Sequence, residues 1–395
     1  MVAAKAEPAV RQVTWAYKAT LVVPAPVVQP RALNKLVKQA DAHAAAGRIP
    51  KDRQSRLKWV LQEVAQNVNR YLKPGNQPRL RQALTHETCT GWWLTPQGHL
   101  VTAARCAAGK SEAAVKPAFS GKDLAPFVRA DTKEMLAAFA KHAQVDDGMA
   151  KLAEEVFTLF HTRHLQVKRR AEASYLGTFE EFLKGDAARL SLVARGQEWP
   201  GRDVAVLKLK GARNLPTLPL GLDGDVRTGD LLFASSHPRP LSDSALLDAA
   251  SRRRPLLTEG GYTSRRVSTA GVPYLVTQIP AYRGSEGAPV LDERGRVVGL
   301  VATVVQDARI GARSEITTLA LPVGLVREHL AAAAVRPVTA ETTRVYERAL
   351  ADFYAGRYRA ALPKFRKVLA LHPAHPYVRD YIQQATAKSK RGSDA

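Results

Sequence analysis

Two cysteines are the residues whose chemistry depends most directly on their spacing. Cys89 and Cys106 are the only cysteines of the chain, and they flank a segment with the pattern of two strands around a turn at Pro96-Gln97-Gly98. A hairpin of this length brings its two ends within disulfide reach. Free cysteine is also a common core residue, so two buried thiols are the alternative. A disulfide implies an oxidising, extracytoplasmic setting, and the cytoplasm is the alternative.

Two histidines, His161 and His164, lie three residues apart in or beside a predicted helix. Imidazole is a common zinc ligand, but no cysteine or carboxylate is placed with this pair to complete a site. We therefore expect ordinary surface or core histidines. The sequence predicts no metal site and no cofactor.

The elements that position these residues alternate between strand and helix patterns. Apolar and β-branched residues predict a strand over 10–23, and strand patterns return near 81, dominate from 164 to 220 and continue to 301. The turn sequence Asp292-Glu293-Arg294-Gly295 predicts a hairpin. Apolar residues at helical spacing predict helices over 32–47, 52–72, 132–142 and 148–161, and over most of 342–388.

The composition is that of a packed protein with a basic surface. The chain has 395 residues, 45% of them hydrophobic, which is enough for two or three domains. Its net charge of +23 at pH 7 would attract nucleic acid or another anionic polymer. The basic runs, such as Lys388-Ser389-Lys390-Arg391, are scattered and without interleaved aromatic residues, which favours a merely solvated surface.

No stretch of the sequence approaches the length of a membrane span, so none is expected. The apolar residues 19–28 are few, include Pro24 and Pro26, and lack the basic start and cleavage site of a signal peptide. The sequence thus predicts either a cytosolic protein or a trimmed mature form.

Four segments, in order, resemble the chymotrypsin-fold serine peptidases, and most closely their bacterial HtrA-like branch. The first, residues 89–106, resembles the pattern C-x-G-F/W … G-x-L/I-V-T-A-A-H-C. The second, 201–209, resembles D-L/I-A-V-L-K-V, and the third, 229–238, resembles G-D-x-V-x-A-x-G-Y-P with His237 at a usual aromatic position. The fourth, 283–290, resembles G-D/N-S-G-G-P-L.

The resemblance implies a mainly β fold of two six-stranded antiparallel barrels with helical insertions and an α-helical C-terminal appendix. It covers about residues 11–330. We expect a trypsin-like peptidase domain over 1–335, with insertions at about 31–74 and 107–163, and a separate helical segment with a basic tail over 336–395. The family's cysteine bridge falls on Cys89 and Cys106, which favours the disulfide.

The resemblance also implies a degenerate catalytic triad. The family's histidine falls on Arg105, its aspartate on Asp203 and its serine on Glu286. Arginine cannot act as a base because its pKa stays above about 12. Glutamate has no hydroxyl for acyl transfer, and an aspartate with no base to orient does nothing catalytic.

The replacements predict an ion-paired site. We expect Arg105 to lie between the carboxylates of Asp203 and Glu286, because guanidinium and carboxylate form forked hydrogen bonds. The backbone amides of Gly284 and Glu286 match the family's oxyanion hole and would bind an anion or be satisfied by Glu286 itself. A triad relocated to Ser285 or His99 is the alternative. The side chain of Ser285, however, is expected to point elsewhere.

The C-terminal residues 345–385 resemble one tetratricopeptide repeat followed by a helix, with a plain helical hairpin as the alternative. The matching positions are Ala349, Phe353, Gly356, Tyr358, Ala361, Phe365, Val368 and Pro373. One repeat cannot bury a core alone, so it should dock on the β domain or on another chain.

These expectations lead to one functional interpretation and two rivals. The leading one is a pseudoprotease that binds protein or peptide through the cleft, the helical additions or the repeat. The rivals are an active serine-type endopeptidase with a rearranged site, and a basic binder of nucleic acid or another anionic polymer. The sequence indicates neither the partner nor the oligomeric state.

Overall fold

The computed structural model describes residues 1–141, 143–305 and 317–390. The chain forms two compact units. The first unit contains residues 1–16, 86–109 and 173–395, and the second contains residues 17–85 and 110–172. The predicted helical segment 336–395 is thus grouped with the barrels, while the division into domains at 335 stays a prediction.

Two closed six-stranded barrels form the β structure, as the resemblance predicted. The strand order is β1-β2-β3-β6-β5-β4 in barrel 1 and β10-β11-β12-β9-β8-β7 in barrel 2. The strands are β1 (Val10–Val28), β2 (Leu72–Trp93), β3 (His99–Thr102), β4 (Gln166–Leu176), β5 (Ala188–Arg195), β6 (Ala205–Lys208), β7 (Leu231–Ser236), β8 (Leu256–Val267), β9 (Pro273–Thr277), β10 (Pro289–Leu291), β11 (Val297–Val305) and β12 (Thr317–Pro322).

Helices occupy the N-terminus, the two predicted insertions and the C-terminal segment. They are α1 (Val2–Ala6), α2 (Pro30–Ala45), α3 (Arg53–Gln66), α4 (Val68–Tyr71), α5 (Glu112–Val115), α6 (Ala125–Ala140), α7 (Asp147–His164), α8 (Phe179–Lys184), α9 (Arg239–Ser242), α10 (Ala249–Arg252), α11 (Val323–Ala332), α12 (Glu341–Tyr354), α13 (Tyr358–Leu371) and α14 (Val378–Lys390). Among the described residues, no helix combines the length and the apolar character that crossing a membrane requires.

The predicted helices exist, but some boundaries were wrong. The helix predicted over 52–72 is divided at Asn67, and β2 begins at Leu72 rather than near 81. The helix predicted over 132–142 begins seven residues earlier, at Ala125; its predicted end, His142, and the basic residue Arg391 lie outside the described residues. The end predicted for the helix over 52–72 is nearly right, since α4 ends at Tyr71.

The first unit has a continuous apolar core, and the β2–β3 hairpin that leads to Arg105 packs into it. Trp92, Trp93, Leu100 and Val101 are fully buried on the β2–β3 hairpin and pack with residues of both barrels. The hairpin pairs Gly91 with Thr102 and places its turn where the sequence predicted it. This pairing brings the chain directly to the short segment that carries Arg105.

The second unit has its own core and a buried polar network. Apolar residues of α2, α3, α4, α6 and α7 pack together. Arg79 donates to both carboxylate oxygens of Asp131 at 2.7 and 2.8 Å, and His161 Nε2 lies 2.7 Å from Asp131 Oδ2. His161 is fully buried, so of the two alternatives, a surface or a core histidine, it is a core histidine.

The C-terminal helices pack around an aromatic cluster. Tyr346, Phe353 and Phe365 are buried together, and Ala4 of α1 packs against the same cluster. Residues 355–357 connect α12 to α13 at the predicted turn, where Gly356 has a φ of +78° that favours glycine. The arrangement is consistent with the predicted helical segment, and the tetratricopeptide assignment stays a prediction.

Candidate active site

Arg105 lies on a 3₁₀ helix, Ala104–Cys106, that follows β3 directly. The disulfide between Cys89 and Cys106 joins the end of this helix to β2, with the Cα atoms 6.1 Å apart. The disulfide alternative is thus confirmed. Both cysteines are buried, and the bridge ties the backbone that follows Arg105 to β2.

Glu286 lies on a tight loop that only glycine can form at two positions. Gly284 and Gly287 have φ values of +100° and +87°. A Cβ atom at Gly287 would lie 2.2 Å from the carbonyl oxygen of Thr90, and one at Gly284 would lie 2.6 Å from the carbonyl oxygen of His237. The Thr90 hydroxyl donates to the Gly284 carbonyl, so the loop is anchored on β2.

The guanidinium of Arg105 pairs with Glu286 as predicted, but its second carboxylate partner is not the predicted one. Arg105 Nη1 lies 3.4 Å from Glu286 Oε1, and Nε lies 3.6 Å from Glu87 Oε2. Asp203 instead accepts a 3.3 Å hydrogen bond from the backbone N–H of Arg105. The predicted ion pair with Asp203 is therefore wrong, because the aspartate binds the main chain and Glu87 takes its place beside the guanidinium.

The charges of this cluster stabilise one another. Burial disfavours the charged form of Arg105, but attraction to Glu87 and Glu286 outweighs it and raises the pKa of the guanidinium. Arg105 is consequently a permanent cation and cannot accept a proton at any physiological pH.

The charged form of Asp203 is destabilised by its surroundings, whereas that of Arg105 is stabilised. The side chain of Asp203 is fully buried. Burial outweighs the backbone hydrogen bonds that the carboxylate accepts and raises its pKa from 3.8 to about 6. An aspartate in this position has no imidazole to orient, because Arg105 stands where the family has its histidine.

The backbone donor of the predicted oxyanion hole is occupied by the site's own carboxylate. Gly284 N–H donates to Glu286 Oε2 at 2.7 Å. Of the two expectations for this amide, an external anion or Glu286 itself, the geometry is that of the second. One oxygen of Glu286 thus binds Arg105 and the other binds the loop.

The space left around these residues is small. The cavity lined by Glu87, Arg105, Gly284 and Glu286, among others, has a volume of about 20 Å³. That is room for about one water molecule, whose centre needs roughly 10–15 Å³.

The two near-miss residues do not rebuild a triad. Ser285 is 1% exposed, and its hydroxyl donates to Ser236 Oγ at 3.0 Å, so it points away from Arg105 and Glu286 as expected. His99 Nδ1 lies 2.9 Å from Thr95 Oγ1, within its own hairpin. Among the described residues, no group of three or more His, Cys, Asp or Glu side chains is placed to hold a metal ion.

Glu87 is the site residue that the sequence reasoning missed. It lies two residues before Cys89, on the end of β2 that the disulfide holds against Arg105. The sequence contained a signal for Glu87. Cys89 is bridged to Cys106, the residue that follows Arg105, so a carboxylate close to Cys89 is expected near the arginine.

Comparisons with known proteins agree with the four-segment resemblance. Residues 89–300, more than half of the chain, match the family described as a trypsin-like peptidase domain. A 102-residue stretch is 30% identical to the mitochondrial serine protease HTRA2 of Bos taurus, covering 26% of this chain and 21% of that protein. A 107-residue stretch is 28% identical to the putative serine protease HhoA of Synechocystis sp., covering 27% of this chain and 26% of that protein.

Solved structures with a similar chain path include the HtrA-type protease AlgW with a decapeptide. It has a TM-score of 0.41 and 15% identity, and the match covers 84% of this chain and 66% of that one. The chain spans only about a fifth to a quarter of the length of the curated relatives it matches.

Proposed function

Because the chain belongs to the family of trypsin-like peptidase domains, we propose that it is a catalytically inactive member, a pseudoprotease that acts by binding protein or peptide. The observation that carries the proposal is the ion pair between Arg105 and Glu286, at the positions where the family has its histidine base and serine nucleophile.

The chemistry of the two residues supports inactivity. Acyl transfer needs a nucleophile and a base that takes its proton. Arg105 holds its proton at every physiological pH, and Glu286 is engaged by Arg105 on one oxygen and by Gly284 on the other. A site without nucleophile and base retains only what a free oxyanion hole supplies, and here the Gly284 amide is taken as well.

The small size of this cavity limits the surfaces through which a partner would bind. Its volume of about 20 Å³ leaves no room for a substrate side chain at the triad positions. Binding then falls to other surfaces of the barrels, to the helical unit or to the C-terminal helices. The disulfide supports an extracytoplasmic setting, and one group of relatives bears the name of probable periplasmic endoproteases.

The rival reading, an active peptidase with a rearranged site, rests on Ser285. That hydroxyl is buried and hydrogen-bonded to Ser236, so a nucleophilic role would need the whole glycine-constrained loop to move. The second rival, an anionic-polymer binder, is favoured by the net charge of +23 alone.

The test compares the wild-type chain with the double variant Arg105→His/Glu286→Ser. Hydrolysis of casein and of a peptide library is measured together with labelling by a fluorophosphonate probe. We expect neither turnover nor labelling in the wild type. Labelling of the double variant would show that Asp203 and the barrels still support a triad, and the single variant Glu286→Ser serves as its control without a base.

Wild-type cleavage that disappears in Ser285→Ala would overturn the proposal and establish a rearranged site. The anionic-polymer alternative is tested separately with heparin and single-stranded DNA. Specific protein binding should survive a modest increase in salt, whereas polymer binding driven by phosphate contacts falls by orders of magnitude.

A further inference from the structure

A second cavity lies away from the triad positions, within the first compact unit. Its volume is about 520 Å³, in the range of roughly 300–1,000 Å³ typical of small-ligand sites. Residues of β1, of the turn after β4, of the segment that follows β7 and of the segment before α14 line it. Neither the disulfide nor the Arg105 cluster contributes to it.

The cavity contains a cation, the guanidinium of Arg11. Arg11 lines it, and the guanidinium donates a hydrogen bond to the carbonyl oxygen of the adjacent Val10 at 2.8 Å. Within residues 1–141, 143–305 and 317–390, no carboxylate forms an ion pair with Arg11. Arg11 is partly buried, and a partly desolvated guanidinium without a carboxylate is costly unless another anion is supplied.

Two titratable groups near Arg11, His237 and Tyr377, are neutral at neutral pH, so they do not compensate its charge. Burial, and in second place the charge of Arg11, lowers the pKa of His237 to about 3. Burial also raises the pKa of Tyr377 to about 12. Arg11 itself has its pKa lowered to about 10 by burial, so it still carries its charge at neutral pH.

A buried amide beside Arg11 also lacks a partner. Gln12 lines the same cavity and is 5% exposed. Neither its amide nitrogen nor its amide oxygen has a hydrogen-bond partner among the described residues. A buried amide without partners costs free energy, but both atoms are also closed to solvent, so a ligand in the cavity does not reach them.

The acidic residues at the cavity are turned toward other cations. Glu181 lies 3.1 Å from Arg253, and Asp380 lies 3.9 Å from Arg254. Both arginines are more than half exposed, so they form a basic entrance rather than a buried charge. The potential at the cavity therefore favours entry of an anion.

The lining also includes the apolar side chains of Val10, Leu176 and Pro376. From these observations we propose that the cavity is a binding site for a carboxylate carried on an apolar body, with Arg11 as the charge partner. Two sources present this chemistry: a free aliphatic acid, and the C-terminal carboxylate of a peptide that ends in an apolar residue. The site is independent of the catalytic state of the triad positions.

The test is calorimetric titration of the full chain with hexanoate and, in a second arm, with a short peptide ending in leucine as the free acid. Hexylamine and the C-terminally amidated peptide are the matched controls without a carboxylate. We expect at least one acid to bind and neither control to do so. Binding of hexanoate alone identifies the free acid as the ligand, and preference for the peptide acid identifies a peptide terminus.

Three variants localise the binding. Arg11→Gln should weaken it at least about tenfold, because a charged hydrogen bond is removed, whereas Arg11→Lys should retain part of it. Arg48→Gln, which removes an exposed arginine of the other unit, controls for the change in net charge. A second readout is thermal: without ligand, Arg11→Gln should melt no lower than the wild type, because an uncompensated cation has been removed.

The proposal is overturned if no acid binds the wild type, or if Arg11→Gln and Arg48→Gln bind the acids equally well. It is also overturned if Arg11→Gln melts well below the wild type without ligand, since the guanidinium would then be a structural group. None of these results depends on the hydrolysis assay, so failure here and failure of the pseudoprotease proposal are distinguishable.

Discussion

The substitution Asp203→Asn should stabilise the folded chain relative to the wild type as the pH rises, although substitution of a buried polar residue usually destabilises a fold. The pKa of Asp203 is about 6 in the folded chain against 3.8 for an ordinary aspartate. The folded state therefore keeps a proton that the unfolded chain has lost. Between these two pH values the native protein binds more protons, so its free energy of unfolding falls as the pH rises.

The magnitude follows from the two pKa values. The interval from 3.8 to about 6 corresponds to about 3 kcal/mol, and most of it lies between pH 4 and pH 7. Asparagine keeps an acceptor for the backbone N–H of Arg105 but has no charge to desolvate. The stability of Asp203→Asn relative to the wild type should thus increase by about 2–3 kcal/mol between pH 4 and pH 7.5.

The assay is urea unfolding of both proteins at pH 4, 5.5 and 7.5, followed by fluorescence of the buried Trp92 and Trp93. Asp248→Asn is the control, because hydrogen bonds from Ser251 and Ala250 lower the pKa of that exposed carboxyl. Its contribution should be lost as the pH falls, which is the opposite trend. A stability difference between Asp203→Asn and the wild type that stays constant from pH 4 to 7.5 would refute the reasoning.

Three further predictions concern the supports of the site and of the helical unit. Replacement of both Cys89 and Cys106 by alanine should lower the free energy of unfolding by about 3 kcal/mol, because the bridge closes a loop of 17 residues; equal denaturation curves of variant and wild type would contradict this. Gly287→Ala should cost at least about 2 kcal/mol, since a side chain there meets the Thr90 carbonyl at a positive φ; Gly211→Ala, also at positive φ but in open space, is the control for the steric part. Asp131→Ala should cost about 3–5 kcal/mol by leaving Arg79 and His161 without their shared carboxylate. Limited proteolysis should then cut between 110 and 172 first, and a cleavage pattern like that of the wild type would argue against the network.

The positions of the site could be predicted from the sequence because strand-and-turn segments carry them. The residues 89–106 determined a hairpin, its disulfide and the place of Arg105, and the glycine pattern around Glu286 determined the loop. The resemblance of these segments to the peptidase family supplied the site positions, and the apolar residues of the hairpin lie in the buried core.

The partners of the site could not be predicted in the same way. Asp203 and Glu87 both approach Arg105, and only the backbone path decides which one faces the guanidinium and which one the N–H group. The helix limits failed for a related reason. Residues from Leu72 onward form a strand that closes a barrel, and that pairing lies outside any local window. The approach of Arg11 and Gln12 to the segment 374–380, more than 360 residues away in the sequence, is likewise set only by the tertiary fold.

The two hydrogen bonds that hold Glu286 have a consequence for substitutions at this site. A single Arg105→His replacement removes the charge that faces a carboxylate of 13% side-chain exposure, and creates no nucleophile. A single Glu286→Ser replacement leaves the guanidinium with Glu87 and provides no base. Each single replacement weakens the local structure, because it removes one partner of a pair. The ion pair therefore couples the two positions: the free-energy cost of replacing both residues is not the sum of the costs of replacing each one alone.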